Sequence, residues 1–248
     1  MKKLLLLGLL SSFLLAQDEL LFYCGITMVK PMSKIAKIIE KKDNVKIKIV
    51  QGGSGDLYDS LCSSKKGDMY LPGSDTYIKK HLKEGLLGYR KYVGYNQIAI
   101  FTQPNNPKNI KSLKDLLRED LAVSLGNPDT CSMGKASIKV LRKYGGDEFL
   151  EEVEDNIIVY SADSRDFNNL LKSKQIDVGL NWKATAYFPD NRGKIGIVKI
   201  DEKYAPKKKL VLTMLTFSKH KKVVKDFIDF AISKEGRKIM KNYGFLDE

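Results

Sequence analysis

Histidine and cysteine are scarce in this chain of 248 residues, which has two histidines, His81 and His220, and three cysteines, Cys24, Cys62 and Cys131. Two isolated histidines leave a zinc hydrolase or a histidine-based catalytic triad poorly supplied. The cysteine spacings match no zinc motif, and an odd count leaves at least one thiol unpaired. No apolar run after the first sixteen residues is long enough to cross a bilayer. There is no low-complexity tract, internal repeat or basic arm. The lysines behind the formal charge of +13 are interleaved with aspartate and glutamate along the chain. No nucleic-acid module is therefore expected, and the charge reads as a solvated basic surface or a diffuse field that attracts anions. Enzymatic activity, a cofactor and a metal are all expected to be absent. A thiol nucleophile at Cys24 or Cys131 would need a base that neither histidine is placed to supply.

The chain opens with Lys2 and Lys3, an apolar run from Leu4 to Ala16, and then Asp18 and Glu19. This is the layout of a secretory signal peptide over residues 1–16, cleaved after Ala16.

Strand and helix patterns alternate in the remainder. Leu20 to Cys24 reads as a strand, followed by a helix with Pro31 near its first turn and Met32, Ile35, Ala36 and Ile39 on one face. Val45 to Val50 alternates branched apolar residues with lysine, as a half-buried strand does. Further strands are expected at Met69–Leu71, Gln97–Thr102, Leu121–Leu125, Ile157–Tyr160, Val178–Trp182, Ile197–Ile200 and Leu210–Phe217. Helices are expected around Leu57–Ser63, Thr76–Lys83, Ser112–Arg118, Lys135–Tyr144, Ser164–Leu171, Val223–Ile232 and Glu235–Tyr243. Gly145-Gly146 should stop the helix at Lys135–Tyr144. Such alternation implies an α/β chain of sheets covered by helices. Its two sets imply two lobes, residues 17–94 with 205–248 forming one and 95–204 the other.

Ligands of open α/β sheets sit beyond the carboxyl ends of the strands. Four such ends carry small polar loops that run into helices: Gly25-Ile26-Thr27, Gly53-Ser54-Gly55, Thr130-Cys131-Ser132-Met133-Gly134 and Ala162-Asp163-Ser164. Free backbone N–H groups and the helix dipole favour a negative ligand there, and glycine lets the backbone come close. Each hydroxyl can equally do no more than cap its own helix. The argument rests on four such loops, two from each half.

In these loops the chain resembles the molybdate-binding, ModA-type periplasmic proteins of ABC importers. Tyr23-Cys24-Gly25-Ile26-Thr27 stands where that family has a strand and a loop ending in a ligand-binding serine. Gly52-Gly53-Ser54-Gly55 matches its glycine-serine loop, and Gly126-Asn127-Pro128-Asp129 its Gly-Asp-Pro turn, with Met133 beyond. Ala162-Asp163-Ser164-Arg165 resembles the next loop, and Gly179-Leu180-Asn181-Trp182 the segment ending in a ligand-binding tyrosine, here replaced by Trp182. The resemblance implies a two-lobed type II periplasmic binding protein fold, each lobe a doubly wound mixed sheet, with a hinge between. It also implies a monomer that binds a small anionic ligand in the interlobe cleft and delivers it to an ABC transporter permease. Gly25, Ile26, Thr27, Gly53, Ser54, Ser132, Met133, Gly134, Ser164, Asn181 and Trp182 would form the site. Ile26, Met28, Met133 and Trp182 are bulky for a molybdate or tungstate site, so a phosphorylated or carboxylated metabolite is an equal candidate. Two alternatives stand beside this: a soft-metal or metalloid receptor built on Cys24, Met28, Cys131 and Met133, and a sensor or surface antigen on the same fold.

Overall fold

The computed structural model describes residues 17–129 and 131–247, so the signal-peptide assignment lies outside the described residues. Two five-stranded mixed sheets organise the chain. The first contains β1 (Glu19–Gly25), β2 (Lys46–Gly52), β3 (Met69–Leu71), β4 (Leu87–Asn96) and β10 (Lys208–Leu215), ordered β2-β1-β3-β10-β4. The second contains β5 (Ile98–Thr102), β6 (Val123–Gly126), β7 (Ile157–Ser161), β8 (Val178–Trp182) and β9 (Gly196–Val198), ordered β7-β6-β8-β5-β9. Within each sheet the strands that feed helices run parallel, β1 with β2 and β3, and β6 with β7 and β8. The antiparallel members, β10 and β5, belong to the segments that pass between the sheets. This is the type II periplasmic binding protein architecture that the loop pattern implies.

Seven α-helices cover the sheets among the described residues: α1 (Val29–Asp43), α2 (Ser54–Ser64), α3 (Asp75–His81), α4 (Ser132–Asp155), α5 (Ser164–Lys172), α6 (Lys221–Ile232) and α7 (Lys234–Asn242). The periodic residues of α1, Met32, Ile35, Ala36 and Ile39, are all buried, and Asn44 ends the helix in the left-handed conformation. They join Phe22, Leu71, Phe227 and Phe245 in the core of the first lobe. The second lobe packs around Phe101, Leu125, Phe167 and Leu180.

Several elements differ from the sequence reading. Gly146 does leave helical geometry, with φ 84 and ψ −169, but the chain re-enters a helix and α4 runs on to Asp155. Residues Leu113–Leu117 form a tight 3-10 turn begun by a Ser112–Asp115 capping box. The ten-residue strand β4 carries no apolar alternation. It forms because β10 pairs along it, with irregular register at Leu210/Val211 and at Thr213/Leu215.

The lobes are joined where β4 passes into β5 through Gln97. Its side-chain amide donates to Ala205 O at 2.8 Å and its carbonyl accepts from Lys183 N at 2.8 Å. Beside it lies an ionic cluster drawn from every crossing segment. Lys183 Nζ sits 2.6 Å from Tyr95 Oη and 3.1 Å from Asp247 Oδ1. Lys207 Nζ is 2.8 Å from Asp247 Oδ2 and 2.6 Å from Glu202, and Tyr95 Oη donates to Asp247. Hydrogen bonds from Lys207, Tyr95 and Lys183 hold the Asp247 carboxyl well below the usual carboxylate range. A depressed carboxyl stabilises the fold above its ordinary pKa of about 4 and loses that contribution as pH falls through its folded value. The Asp247 side chain is 52% exposed, so solvent screening limits the gain to about 1 kcal/mol. Asp247→Asn should therefore lower Tm by about 3 °C at neutral pH. In a pH series of melting curves the gap to the parent should close below about pH 4, and a gap that persists unchanged at low pH would assign the effect to packing.

Candidate functional site

A cavity of about 670 Å³ opens between the two sheets, within the size range of small-molecule sites. Its wall takes Ile26 and Thr27 from the turn after β1, Ser132 and Met133 from the first turn of α4, Ser164 from the start of α5, and Trp182 from the end of β8. Gly25, Gly53, Ser54, Gly134 and Asn181 do not line it. Ser54 lies in the first lobe with its Oγ accepting from Gly73 N at 2.9 Å. Gly25 and Gly134 are needed for close approach: a side chain on Gly25 would meet Met28 Cε at 2.6 Å, and one on Gly134 would lie 2.6 Å from the Asn127 carbonyl.

The hydroxyls are not occupied as helix caps. Asp163 caps α5, accepting from Arg165 N and Asp166 N at 2.7 and 2.9 Å. The Cys131 thiol caps α4 through Gly134 N at 3.3 Å. Gly25 and Gly53, at the N-cap positions of the elements that hold Thr27 and Ser54, make no side-chain cap bond, and Thr27 and Ser54 themselves cap nothing. At α2, α4 and α5 the candidate hydroxyl, Ser54, Ser132 or Ser164, stands one place beyond the N-cap position, and Thr27 lies inside the short turn that Gly25 precedes. Thr27 Oγ1 and Ser164 Oγ instead point at thioether sulfurs, Met28 Sδ at 3.0 Å and Met133 Sδ at 3.5 Å. Sulfur is a weak acceptor, readily exchanged for a ligand oxygen.

One relay decides which pole of an amide faces the cavity. Trp182 N, which can only donate, gives its hydrogen to Asn181 Oδ1 at 2.7 Å. The NH2 of Asn181 must then point the other way, to Ser164 O at 3.1 Å and Asn168 Oδ1 at 3.0 Å. With its oxygen engaged, Asn168 turns its own NH2 to the cavity, and among the described residues that group meets no acceptor. Asn168 is 3% exposed overall, but its NH2 is not among the sealed, unpartnered polar atoms, so its donors are open to a partner in the cavity. Asn181 thus acts from behind the wall, orienting the asparagine in front of it.

Charge on the wall points the same way. Lys30, Arg165 and Lys172 line it against Asp163 and Asp190. Asp163 is spent on the α5 cap, and Asp190 is paired with Lys30 at 2.7 Å, which holds its carboxyl below the usual range. The cavity therefore presents N–H, O–H and cationic groups with little free carboxylate to oppose an anion. Asn168 and Lys172 lie outside the sequence motifs, and Arg165, the last residue of one of them, is not among the expected site residues. Their spacing on α5 is a legible polar stripe, whereas nothing local marks the Lys30–Asp190 pair, whose members stand 160 residues apart.

The four sulfurs of the soft-metal alternative do not converge. Cys24 and Met28 are fully buried in the core of the first lobe, while Cys131 and Met133 pack against that of the second. Burial pushes the Cys24 thiol far up, away from the thiolate a soft metal needs. Among the described residues all three cysteines are free, and no group of histidine, cysteine, aspartate and glutamate is arranged to hold a metal. Nor is any described helix long and apolar enough to cross a membrane.

Comparison with known proteins agrees with this geometry. The sequence profile described as bacterial extracellular solute-binding protein matches residues 20–246. A Haemophilus influenzae chain described as a binding protein is 25% identical over 238 residues, covering 96% of this chain and 95% of the relative. The substrate-binding domain of a molybdenum ABC transporter from Clostridium difficile superposes with a TM-score of 0.77 at 23% identity, covering 94% of this chain and all of that one. The periplasmic molybdate-binding protein of Azotobacter vinelandii gives 0.74 at 15% identity, covering 92% and 99%. Other solved structures of this fold hold L-phospholactate, iron or fructose 6-phosphate, so the fold alone does not choose the ligand.

Proposed function

Because this chain belongs to the family of bacterial extracellular solute-binding proteins, we propose that its interlobe cleft captures a small anion and that the loaded protein delivers it to an ABC permease. On this reading the chain is secreted through the signal at residues 1–16 and acts as a periplasmic monomer. The two lobes, residues 17–94 with 205–248 and residues 95–204, swing together over the bound solute. Ile26, Thr27, Ser132, Met133, Ser164 and Trp182 contact it, Ser54 approaches from the first lobe on closure, and Asn181 orients Asn168.

The observation that carries the reading is the Asn168 amide, buried and locked donor-outward by the Trp182–Asn181 relay. A neutral solute such as a sugar offers donors as well as acceptors and would want a mixed wall. Donors from Asn168, hydroxyls and cations together suit a ligand that only accepts, which is an anion: a compact oxyanion of the molybdate type, or a phosphorylated or carboxylated metabolite.

Trp182 is the chain's one tryptophan and lines the cavity, so its emission reports occupancy directly. Titration with molybdate, sulfate, phosphate and organic phosphates should change it saturably, with micromolar affinity or tighter, roughly −8 kcal/mol. Neutral sugars and basic amino acids should leave it flat. A saturable response to those solutes, with none to anions, would overturn the reading.

A further inference from the structure

The cavity wall does not stop at the helix starts where a compact oxyanion would rest. It continues along α5 through Arg165, Asn168, Asn169 and Lys172, positions spaced i, i+3, i+4 and i+7 and therefore on one helix face. From Arg165 to Lys172 that face rises about 10 Å. The far end carries surplus positive charge, and the near end sets the Arg165 guanidinium beside helix-start N–H groups. At the near end Arg165 stands among the first turns of α4 and α5, where Asp163 is engaged with backbone N–H groups. At the far end Lys30 and Lys172 face a single carboxylate, Asp190, which is bonded to Lys30 and also feels the charge of Lys172. Among the described residues neither Arg165 nor Lys172 has an ion-pair partner within 4.0 Å. Between the two ends sits the outward NH2 of Asn168. Phe188 lies on the wall beside Lys30, whose ammonium is 5.0 Å from the ring centroid.

Building on the reading of the cleft as an anion receptor, we propose that its ligand is an elongated phosphorylated organic acid: a phosphate held at the helix starts with Arg165, and a carboxylate directed along α5 to Lys172. A tetrahedral inorganic oxyanion would fill the near end and leave the far cations and the polar stripe without a partner. A ligand with anionic groups at both ends meets Arg165 and the helix-start N–H groups with one and the far-end surplus with the other, and its carbon body occupies the space beside Asn168, Asn169 and Phe188.

The matched pair glycerol 3-phosphate and 3-phosphoglycerate isolates the second charge, because the two differ by one hydroxymethyl group in place of a carboxylate. Calorimetric titration of the mature chain should show 3-phosphoglycerate binding about tenfold tighter or more, the worth of one charge-assisted contact. It should also bind tighter than inorganic phosphate or molybdate. In Lys172→Met the ratio between the paired ligands should fall towards one, and in Lys172→Arg it should persist. Melting curves establish that both variants are folded. Equal affinity for the pair, an undiminished ratio in Lys172→Met, or tighter binding of an inorganic oxyanion would each overturn the two-charge ligand while leaving the anion receptor standing. A cleft that binds no anion of the panel would overturn both.

Discussion

Replacing Gly134 with valine is expected to be highly damaging, lowering stability by about 3 kcal/mol or more and Tm by about 10 °C. Gly134 lies in the first turn of α4, buried against the end of β6. A Cβ placed on it would overlap the carbonyl oxygen of Gly126 and lie 2.6 Å from the backbone of Asn127. These are main-chain atoms fixed by the β6 ladder and by Asn127 N donating to Ser161 O at 2.9 Å, so they cannot swing aside as a side chain would. Relief requires α4 to lift off the sheet. That movement carries Ser132 and Met133 out of the cavity wall and breaks the Ser164–Met133 contact between α4 and α5. Stability and ligand affinity should therefore fall together. Gly53→Ala is the control: its added methyl would meet only the carboxylate of Asp56, at 2.8 Å, on a flexible exposed side chain, and Tm should change by about 2 °C or less. Equal melting points for the parent and Gly134→Val would show that the α4–β6 contact is not tight.

The contrast between those two glycines marks what was legible in the sequence. Both sit in small-residue loops between a strand and a helix, and both were read as ligand-contacting because a loop of that composition permits close approach. Which neighbour approaches is a tertiary fact. For Gly134 it is another stretch of backbone, for Gly53 the Asp56 side chain, and neither is on the cavity wall. Elements whose pattern is local came through well: α1 buries the four residues its periodicity selects, and β1, β2 and β8 lie within two residues of their expected ends. The strand β4 did not, because Gly88, Arg90, Lys91 and Gly94 break its pattern and only its pairing with β10 makes it a strand. Of the expected site residues, Thr27, Ser132 and Ser164 are marked by their place at strand ends and Trp182 by the resemblance, and all four line the cavity. Arg165, Asn168 and Lys172 are not named by that rule, which looks only at the strand-end loops; they follow along α5 on positions other than its buried Phe167 and Leu171, and only the tertiary fold brings them to the cavity wall. A helix beside a cleft has two informative faces, and the one without apolar residues is where the ligand's chemistry is written.

Asn168→Asp tests that face at its least tolerant point. The substitution keeps the shape and preserves the acceptor that takes Asn181 Nδ2 at 3.0 Å. The other pole, an NH2 turned to the cavity, becomes a carboxylate oxygen. A donor to the ligand is thus exchanged for a charge of the ligand's own sign. Two like charges about 4 Å apart at an effective dielectric of about 20 repel by about 4 kcal/mol, so affinity for the preferred anion should fall on the order of a thousandfold. The new carboxyl can escape that repulsion by taking up a proton. Binding by Asn168→Asp should then recover in part as pH is lowered through the carboxylate range, a pH dependence the parent would not share. Anion titrations of both proteins across that range, with melting curves beside them, decide the matter. If Asn168→Asp binds the anion as tightly as the parent at neutral pH, the relay from Trp182 through Asn181 serves packing alone, and the ligand's acceptor atoms lie elsewhere in the cleft.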